Sequence, residues 1–243
     1  MMGKDNIREH GKEYFDNTGM KKFLHDREGR GEQYAWRKVM RLVKPSPTDR
    51  VLDVGCGLGQ NTYYLAQRSA EAVGIDPSQH AVDFAKEKFR ADNLRYICGE
   101  VWKAEPGGLF DQVCLLSVAE HMTQEQHDRT LKAIAGLLVP GGTFNVVVPT
   151  GGTAAARHKM KKRGYNTLDY TGDLTHVRLF TPDEIVSDIE RFGFKLEAEE
   201  FDYARTLVSG GGLSRLARFC PCLRPLLKSR ALSAYLRFSL LPS

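Results

Sequence analysis

No stretch of this 243-residue chain approaches the roughly 18 consecutive apolar residues that a membrane-crossing helix needs. Its opening residues, Met1 to His10, are polar and charged and lack the apolar core of a secretory signal, so a cytoplasmic location is the expectation. Cysteine is sparse, at five residues, and none has the paired spacing of a zinc site: Cys220 and Cys222 simply flank Pro221. Cys56, Cys98 and Cys114 fall within or at the ends of apolar segments, where a reduced thiol serves as a small apolar filler. Acidic residues are absent after Asp202, whereas Arg205, Arg215, Arg218, Arg224, Lys228, Arg230 and Arg237 all follow it. The net charge of +5 therefore resolves into a basic tail on a body of about −2, which suggests an anionic partner. Internal repeats and low-complexity segments are also lacking. With 42 % hydrophobic and 27 % charged residues the chain suits one large α/β domain, and wholesale disorder is excluded.

What is present is an alternation of strand and helix patterns. Residues 31–44 carry Trp36, Val39, Met40 and Val43 at helical spacing, and the segment Lys44 to Arg50, with Pro45 and Pro47, ends that helix. Val51–Val54, Ala72–Asp76, Tyr96–Gly99, Gln112–Val118 and Thr143–Val148 read as five strands, and Phe194–Tyr203 as a sixth. Between them, Ser78 caps a helix with Ala81, Ala85 and Phe89 on its apolar side. Thr123 with Gln126 forms a capping box ahead of Leu131, Ile134 and Leu138. Pro140-Gly141-Gly142 breaks that helix. Thr181-Pro182-Asp183-Glu184 is a second capping box with proline at the first helical position, followed by Ile185, Ile189 and Phe192 and closed by Gly193. Tyr235–Leu241 suits a seventh, antiparallel strand. The expected architecture is a doubly wound, mostly parallel seven-stranded α/β sheet with helices on both faces, its ligands beyond the carboxyl ends of the strands.

The densest signal is Val51-Leu-Asp-Val-Gly-Cys-Gly-Leu-Gly59, a buried strand running into three glycines and then a helix. Glycine lets the backbone turn sharply and approach a ligand, with helix amides directed at it. A nicotinamide dinucleotide is disfavoured, because its fingerprint needs glycine at position 60 and this chain has Gln60. Asp53, two residues before the first glycine, would repel a pyrophosphate but suits an ammonium group. Asp76, ending the second strand, is placed to hold a ribose diol.

Together with Val73-Gly-Ile-Asp-Pro-Ser78 and Leu138-Val-Pro-Gly-Gly142, this segment resembles motif I, the acidic loop and the Pro-Gly-Gly turn of class I S-adenosylmethionine-dependent methyltransferases, in the expected order over residues 50–150. The resemblance implies S-adenosylmethionine as cofactor. It places Asp53 near the amino group, Gly55, Cys56, Gly57 and Gly59 under the methionine part, and Asp76 on the ribose hydroxyls. Glu100 matches the acidic position near the adenine amino group, although the family more often has aspartate there, and Ser117 ends the fourth strand beside the cofactor. Ser117-Val-Ala-Glu-His121 and Thr175-His-Val-Arg-Leu-Phe-Thr-Pro182 are similar to small-molecule methyltransferases, including those acting on quinone and lipid precursors. The Asn-Pro-Pro or Asp-Pro-Pro ending of DNA amino methyltransferases and the paired glutamates of protein arginine methyltransferases are absent.

Methylation of a hydroxyl on a small, quinone-like or lipid-linked acceptor is therefore the expected function. Methylation of nitrogen or carbon, or a non-catalytic cofactor-binding subunit, are the alternatives. His121, just past the fourth strand, is the candidate catalytic residue, as a base for a hydroxyl proton or as an orienting group. His176 is the candidate substrate contact. Glu120 with His121 could hold a divalent metal, but two adjacent ligands are too few for a site, and no metal ligand is assigned. Residues 1–48 are expected to form a helical lid with Tyr14, Phe15 and Phe23, residues 49–150 the cofactor-binding core, and 151–180 a substrate-side insert around Arg157–Arg163. Residues 181–243 complete the same domain. Leu213, Leu216, Phe219, Leu223, Leu226 and Leu227 interleave with arginines, which suits peripheral membrane contact. Nucleic acid is a weak prospect, since the tail lacks interleaved aromatic stacking groups.

Overall fold

The computed structural model describes Arg37 and residues 39–150, 176–202 and 233–242. The lid aromatics, Trp36, the basic run 157–163, Thr175, Cys220, Cys222 and the segment 211–232 lie outside the described residues. In chain order the elements are β1 (Arg50–Val54), α1 (Gln60–Ala66), β2 (Glu71–Asp76), α2 (Gln79–Lys88), β3 (Leu94–Cys98), β4 (Phe110–Leu116) and a 3₁₀ turn, Ala119–His121. There follow α3 (Gln124–Leu137), β5 (Leu138–Pro149), α4 (Pro182–Glu190), β6 (Phe194–Asp202) and β7 (Ser233–Leu240). The seven strands make one sheet in the order β3-β2-β1-β4-β5-β7-β6. All neighbours are parallel except the pairs that β7 makes with β5 and β6. The expected doubly wound architecture and its antiparallel last strand are both present.

The side-chain period of two sorts the strands onto two faces. Leu52, Val54, Val113, Leu115, Phe144, Val146 and Val148 point into the larger core, which α3 and α4 cover with Leu131, Ile134, Ile185 and Ile189. Val51, Cys114, Val147 and Tyr235 point the other way, under α1 and the helical residues 39–43, where Val39, Leu42 and Val43 are buried. Phe144 packs its ring 5.2 Å from Phe194 and 6.2 Å from Phe238. Burying an aromatic or aliphatic side chain of this size is worth about 1.5–3 kcal/mol, so this alternation is what holds the helices to the sheet.

Helix ends follow their side chains. Ser78 Oγ accepts from Ala81 N at 3.3 Å, and the Thr123–Gln126 and Thr181–Glu184 boxes are both closed in each direction. Several boundaries differ from expectation. Pro140-Gly-Gly142 is no loop between helix and strand: β5 begins at Leu138, and the segment is a bulge, with Phe110 opposite Leu138 and Gln112 opposite Thr143. Gly141 has φ +78°, and a Cβ at Gly142 would stand 2.9 Å from Val139 O, so the bulge needs both glycines. Strand β4 stops at Leu116, not Val118, because Ser117 takes a left-handed φ of +58°. Strand β3 begins two residues before the expected Tyr96, at Leu94. Cys114 is buried as a filler residue, whereas Cys98, at the strand end, is exposed.

At the amino ends of the strands Glu71 receives Arg50 Nε at 2.8 Å and Arg95 Nε at 3.0 Å. Both guanidinium groups also donate to carbonyls of the 106–109 loop, closing the sheet edge opposite the glycine turn.

Between α3 and α4, His127 is fully buried against Phe180, at 5.6 Å between ring centroids. Neither ring nitrogen has a hydrogen-bond partner among the described residues, Asp188 Oδ2 being 3.7 Å from Nδ1. Burial, aided by the Arg178 charge, lowers its pKa to about 4. The unfolded chain takes up this proton below about pH 6.5 and the folded chain does not, so stability is lost as pH falls from about 6.5 to 4, by about 3 kcal/mol in all. His127→Leu, of similar volume, is expected to narrow the stability gap between pH 7.5 and pH 5 by about 1–2 kcal/mol, read by urea denaturation at both values. An unchanged gap would place the imidazole in a solvated setting.

Candidate functional site

The glycine turn begins where β1 leaves the sheet. Gly55 N and Cys56 N both donate to Ile75 O, at 2.7 and 3.0 Å, so the turn is stitched to the end of β2. Gly55, Gly57 and Gly59 have φ of +73°, +51° and +83°, a region that only glycine enters without strain. Space matters as much as conformation. A Cβ at Gly55 would lie 2.5 Å from Val118 Cγ2, and one at Gly59 would lie 2.6 Å from Ala85 and 2.9 Å from the Tyr96 ring. Tyr96 also donates its hydroxyl to Gly59 O at 2.9 Å. Gly59 opens α1 as its N-cap residue.

Two carboxylates frame this turn. Asp76 is buried. Its Oδ2 accepts from Gly57 N at 2.9 Å and its Oδ1 from Ser78 N at 2.9 Å, so one side chain ties the glycine turn to the start of α2. Asp53 is 1 % exposed and accepts the Thr62 hydroxyl at 2.7 Å. Burial raises its pKa, the Thr62 hydrogen bond opposes that rise, and the Asp76 charge adds to it; the result is about 6. Cys56, buried between the two carboxylates, is held well above an ordinary thiol by burial, then by the charges of Asp76 and Asp53, and stays protonated. The turn is therefore bordered by two carboxylates, an arrangement that suits a positively charged group.

The end of β4 supplies the other wall. Ser117 N donates to Val147 O at 2.8 Å, and the left-handed Ser117 then turns the chain so that Val118 lies over Gly55. A non-glycine residue at positive φ costs about 1 kcal/mol or more and persists where the surroundings impose it. The 3₁₀ turn that follows buries Glu120, at 1 % exposed, and leaves His121 half-buried. Glu120 O accepts from Val177 N and Arg178 N at 2.9 and 3.1 Å, which brings buried His176 to His121 with ring centroids 4.8 Å apart, edge to face. One donor atom each from Glu120, His121 and His176 lies within 4.8 Å of the others.

Of the residues expected from sequence, Asp53, Gly55, Cys56, Gly57, Gly59 and Asp76 gather around one turn. Ser117 joins the wall beside it, and His121 and His176 meet across the 3₁₀ turn. Glu100 sits just past β3, its carboxylate paired with Lys103 and its carbonyl accepting Lys103 N and Ala104 N, away from the turn's hydrogen bonds among the described residues. Sequence reading missed Thr62, Tyr96 and Val118. Their roles are to hold an acid, a carbonyl and a glycine face, and only folding reveals such pairings. Glu120 was noticed as a neighbour of His121, but its burial carried no signal in the chain.

Residues 51–142 match the family model described as a methyltransferase domain. An uncharacterized methyltransferase of Synechocystis sp. is 36 % identical over 118 residues, which are 48 % of this chain and 55 % of that protein. The ubiquinone biosynthesis O-methyltransferase of Bradyrhizobium diazoefficiens is 36 % identical over 101 residues, 40 % of this chain and 38 % of that one. The chain thus spans about half or less of the length of these curated relatives. Magnesium protoporphyrin IX methyltransferase from Synechocystis, solved with S-adenosylhomocysteine bound, superposes with a TM-score of 0.61 over 94 % of this chain and 97 % of that one, at 16 % identity. That likeness establishes the fold.

Asp76 gives a direct test of this geometry. In Asp76→Asn the amide group has one acceptor for two backbone N–H donors, so either Gly57 N or Ser78 N faces an NH₂ group. A hydrogen bond to a charged group is worth about 1.5–3 kcal/mol, and a loss of about 2 kcal/mol in urea denaturation is expected. A variant as stable as the parent would show that the carboxylate does not hold the turn.

Proposed function

We propose that this chain transfers the methyl group of S-adenosylmethionine to a hydroxyl of a small-molecule acceptor, a reading supported by the match of residues 51–142 to a methyltransferase-domain family model. The single observation that carries the reading is the glycine turn framed by two buried carboxylates, Asp53 and Asp76. S-adenosylmethionine carries a sulfonium and an ammonium, and two carboxylates so placed favour it over a pyrophosphate. Asp53 receives the ammonium, whose charge further favours its ionised form. Asp76 presents its remaining acceptor capacity to the ribose hydroxyls, and Glu100 stands on the adenine side.

In the reaction an acceptor oxygen attacks the methyl carbon as the sulfur–methyl bond breaks. The bond's electron pair returns to sulfur, leaving S-adenosylhomocysteine and a methyl ether, and the hydroxyl proton departs. The donor is already activated, so alignment supplies much of the rate. His121 is assigned to activation of the acceptor oxygen and His176 to its contact, since both lie at the end of β4, beside the wall that Val118 makes over the turn. The O-methyltransferase among the relatives supports a hydroxyl acceptor over nitrogen or carbon.

Titration calorimetry is expected to show S-adenosylhomocysteine binding and no NAD binding. Asp53→Asn should weaken the former roughly 10- to 100-fold, the scale of one charge-assisted hydrogen bond. Binding of NAD in place of S-adenosylhomocysteine would overturn the assignment.

His121→Ala is expected to lower the turnover number by about 10²- to 10⁴-fold in an assay with labelled cofactor and a panel of hydroxylated acceptors. S-adenosylhomocysteine affinity should stay within about twofold of the parent's, because the side chain faces the acceptor. A fully active variant would remove His121 from the chemistry and leave alignment alone.

A further inference from the structure

We propose that Glu120, His121 and His176 bind one divalent transition-metal ion. The function assigned to that ion, activation of the acceptor oxygen, rests on the methyltransferase reading, but the site itself stands on geometry. Two of the ligands are adjacent in the 3₁₀ turn Ala119–His121, and the third arrives from a distant part of the chain. It is fixed in place by two backbone amides, Val177 N and Arg178 N, donating to the carbonyl of Glu120 itself. The approach of the rings follows from backbone hydrogen bonding and not from contact between the side chains alone.

The three donor atoms lie within 4.8 Å of one another. Donors about 2.1 Å from a tetrahedral cation stand about 3.4 Å apart, so side-chain shifts on the order of 1 Å close the set around an ion.

The donor set selects the ion. Two imidazoles and a carboxylate suit zinc, cobalt, iron or manganese, whereas magnesium and calcium favour oxygen ligands throughout. Three protein ligands leave coordination positions open, as in catalytic rather than structural sites. His121 is the least buried of the three, so the open positions lie on its side, toward the acceptor. A hydroxyl or a vicinal diol offers oxygens that fit them. A cation there lowers the pKa of such an oxygen, so its proton passes to solvent without a protein base, and the oxygen then attacks the methyl carbon. His121 thus acts as a ligand and remains neutral.

The test uses the full-length protein stripped with a chelator and titrated with Co²⁺, read by visible absorption, with Zn²⁺ in competition. One equivalent of Co²⁺ with a ligand-field band is expected, displaced by Zn²⁺. His176→Ala and Glu120→Gln should each weaken it by at least about tenfold, since even partners of metal ligands are worth that much. S-adenosylhomocysteine binding confirms that each variant is folded, and His121→Gln, at the half-exposed position, replaces any variant that loses it. Stripped parent protein should bind S-adenosylhomocysteine normally but lose methyl transfer, which added Co²⁺ or Zn²⁺ restores. Co²⁺ bound equally well by parent and variants, or not bound by a parent that still binds S-adenosylhomocysteine, would overturn the proposal. Co²⁺ binding that depends on these residues in a protein that binds no S-adenosylhomocysteine would instead leave the metal site standing and sink the methyltransferase reading.

Discussion

Everything at the carboxyl edge of this sheet depends on one carbonyl, Ile75 O, receiving two consecutive amides of the glycine turn, Gly55 N and Cys56 N. The pairing is available because β1 and β2 are parallel neighbours in register, Val54 beside Ile75, so the strands end side by side. Once the turn is stitched there, Gly57 N falls to Asp76, Gly59 is set to open α1, and Gly55 presents a bare face to Val118. A side chain at Gly55 or Gly59 would meet carbon atoms at 2.5–2.6 Å. These glycines therefore answer to crowding from behind as much as to a ligand in front.

Burial sets the pH dependence of this edge. Asp53 is buried with its pKa raised to about 6, so its ionised form is less favoured in the folded protein than in the unfolded chain. The unfolded chain ionises near 3.8, so Asp53 contributes stability below that value and loses it as pH rises through about 6, by about 3 kcal/mol. His127 acts in the opposite sense over an overlapping range, because it is buried neutral. Between about pH 4 and 6 the two slopes offset each other. Burial penalises the charged form of both groups, but Asp53 borders the glycine turn whereas His127 lies in the core between α3 and α4.

The fold was largely legible because its signals are local. The strand running into three glycines, the Ser78 cap, and the two capping boxes each involve residues within a few positions of one another, and each formed as its pattern implies. Boundaries failed where the decision was not local. Apolar alternation ran on to Val118, but the strand stops at Leu116 because Val118 is needed over Gly55, some 60 residues earlier in the chain. Pro140-Gly-Gly142 read as a helix breaker and is a bulge, because Gly142 must pass close to Asp111 O on the neighbouring strand.

By itself the sequence determined the α/β alternation, the place of the glycine turn and the identity of its acids, Asp53 and Asp76. Backbone conformation and strand-end position depend on near neighbours and on a hydrophobic period, and both are written along the chain. Only the tertiary structure decided that Thr62 holds Asp53, that Tyr96 holds Gly59, and that His176 joins Glu120 and His121. Those partners come from separate elements, and their meeting depends on parallel register and on the two amides that dock residues 177–178 onto the carbonyl of Glu120. The third member of that cluster is supplied by packing, and no spacing in a linear chain records where a distant segment will be pinned.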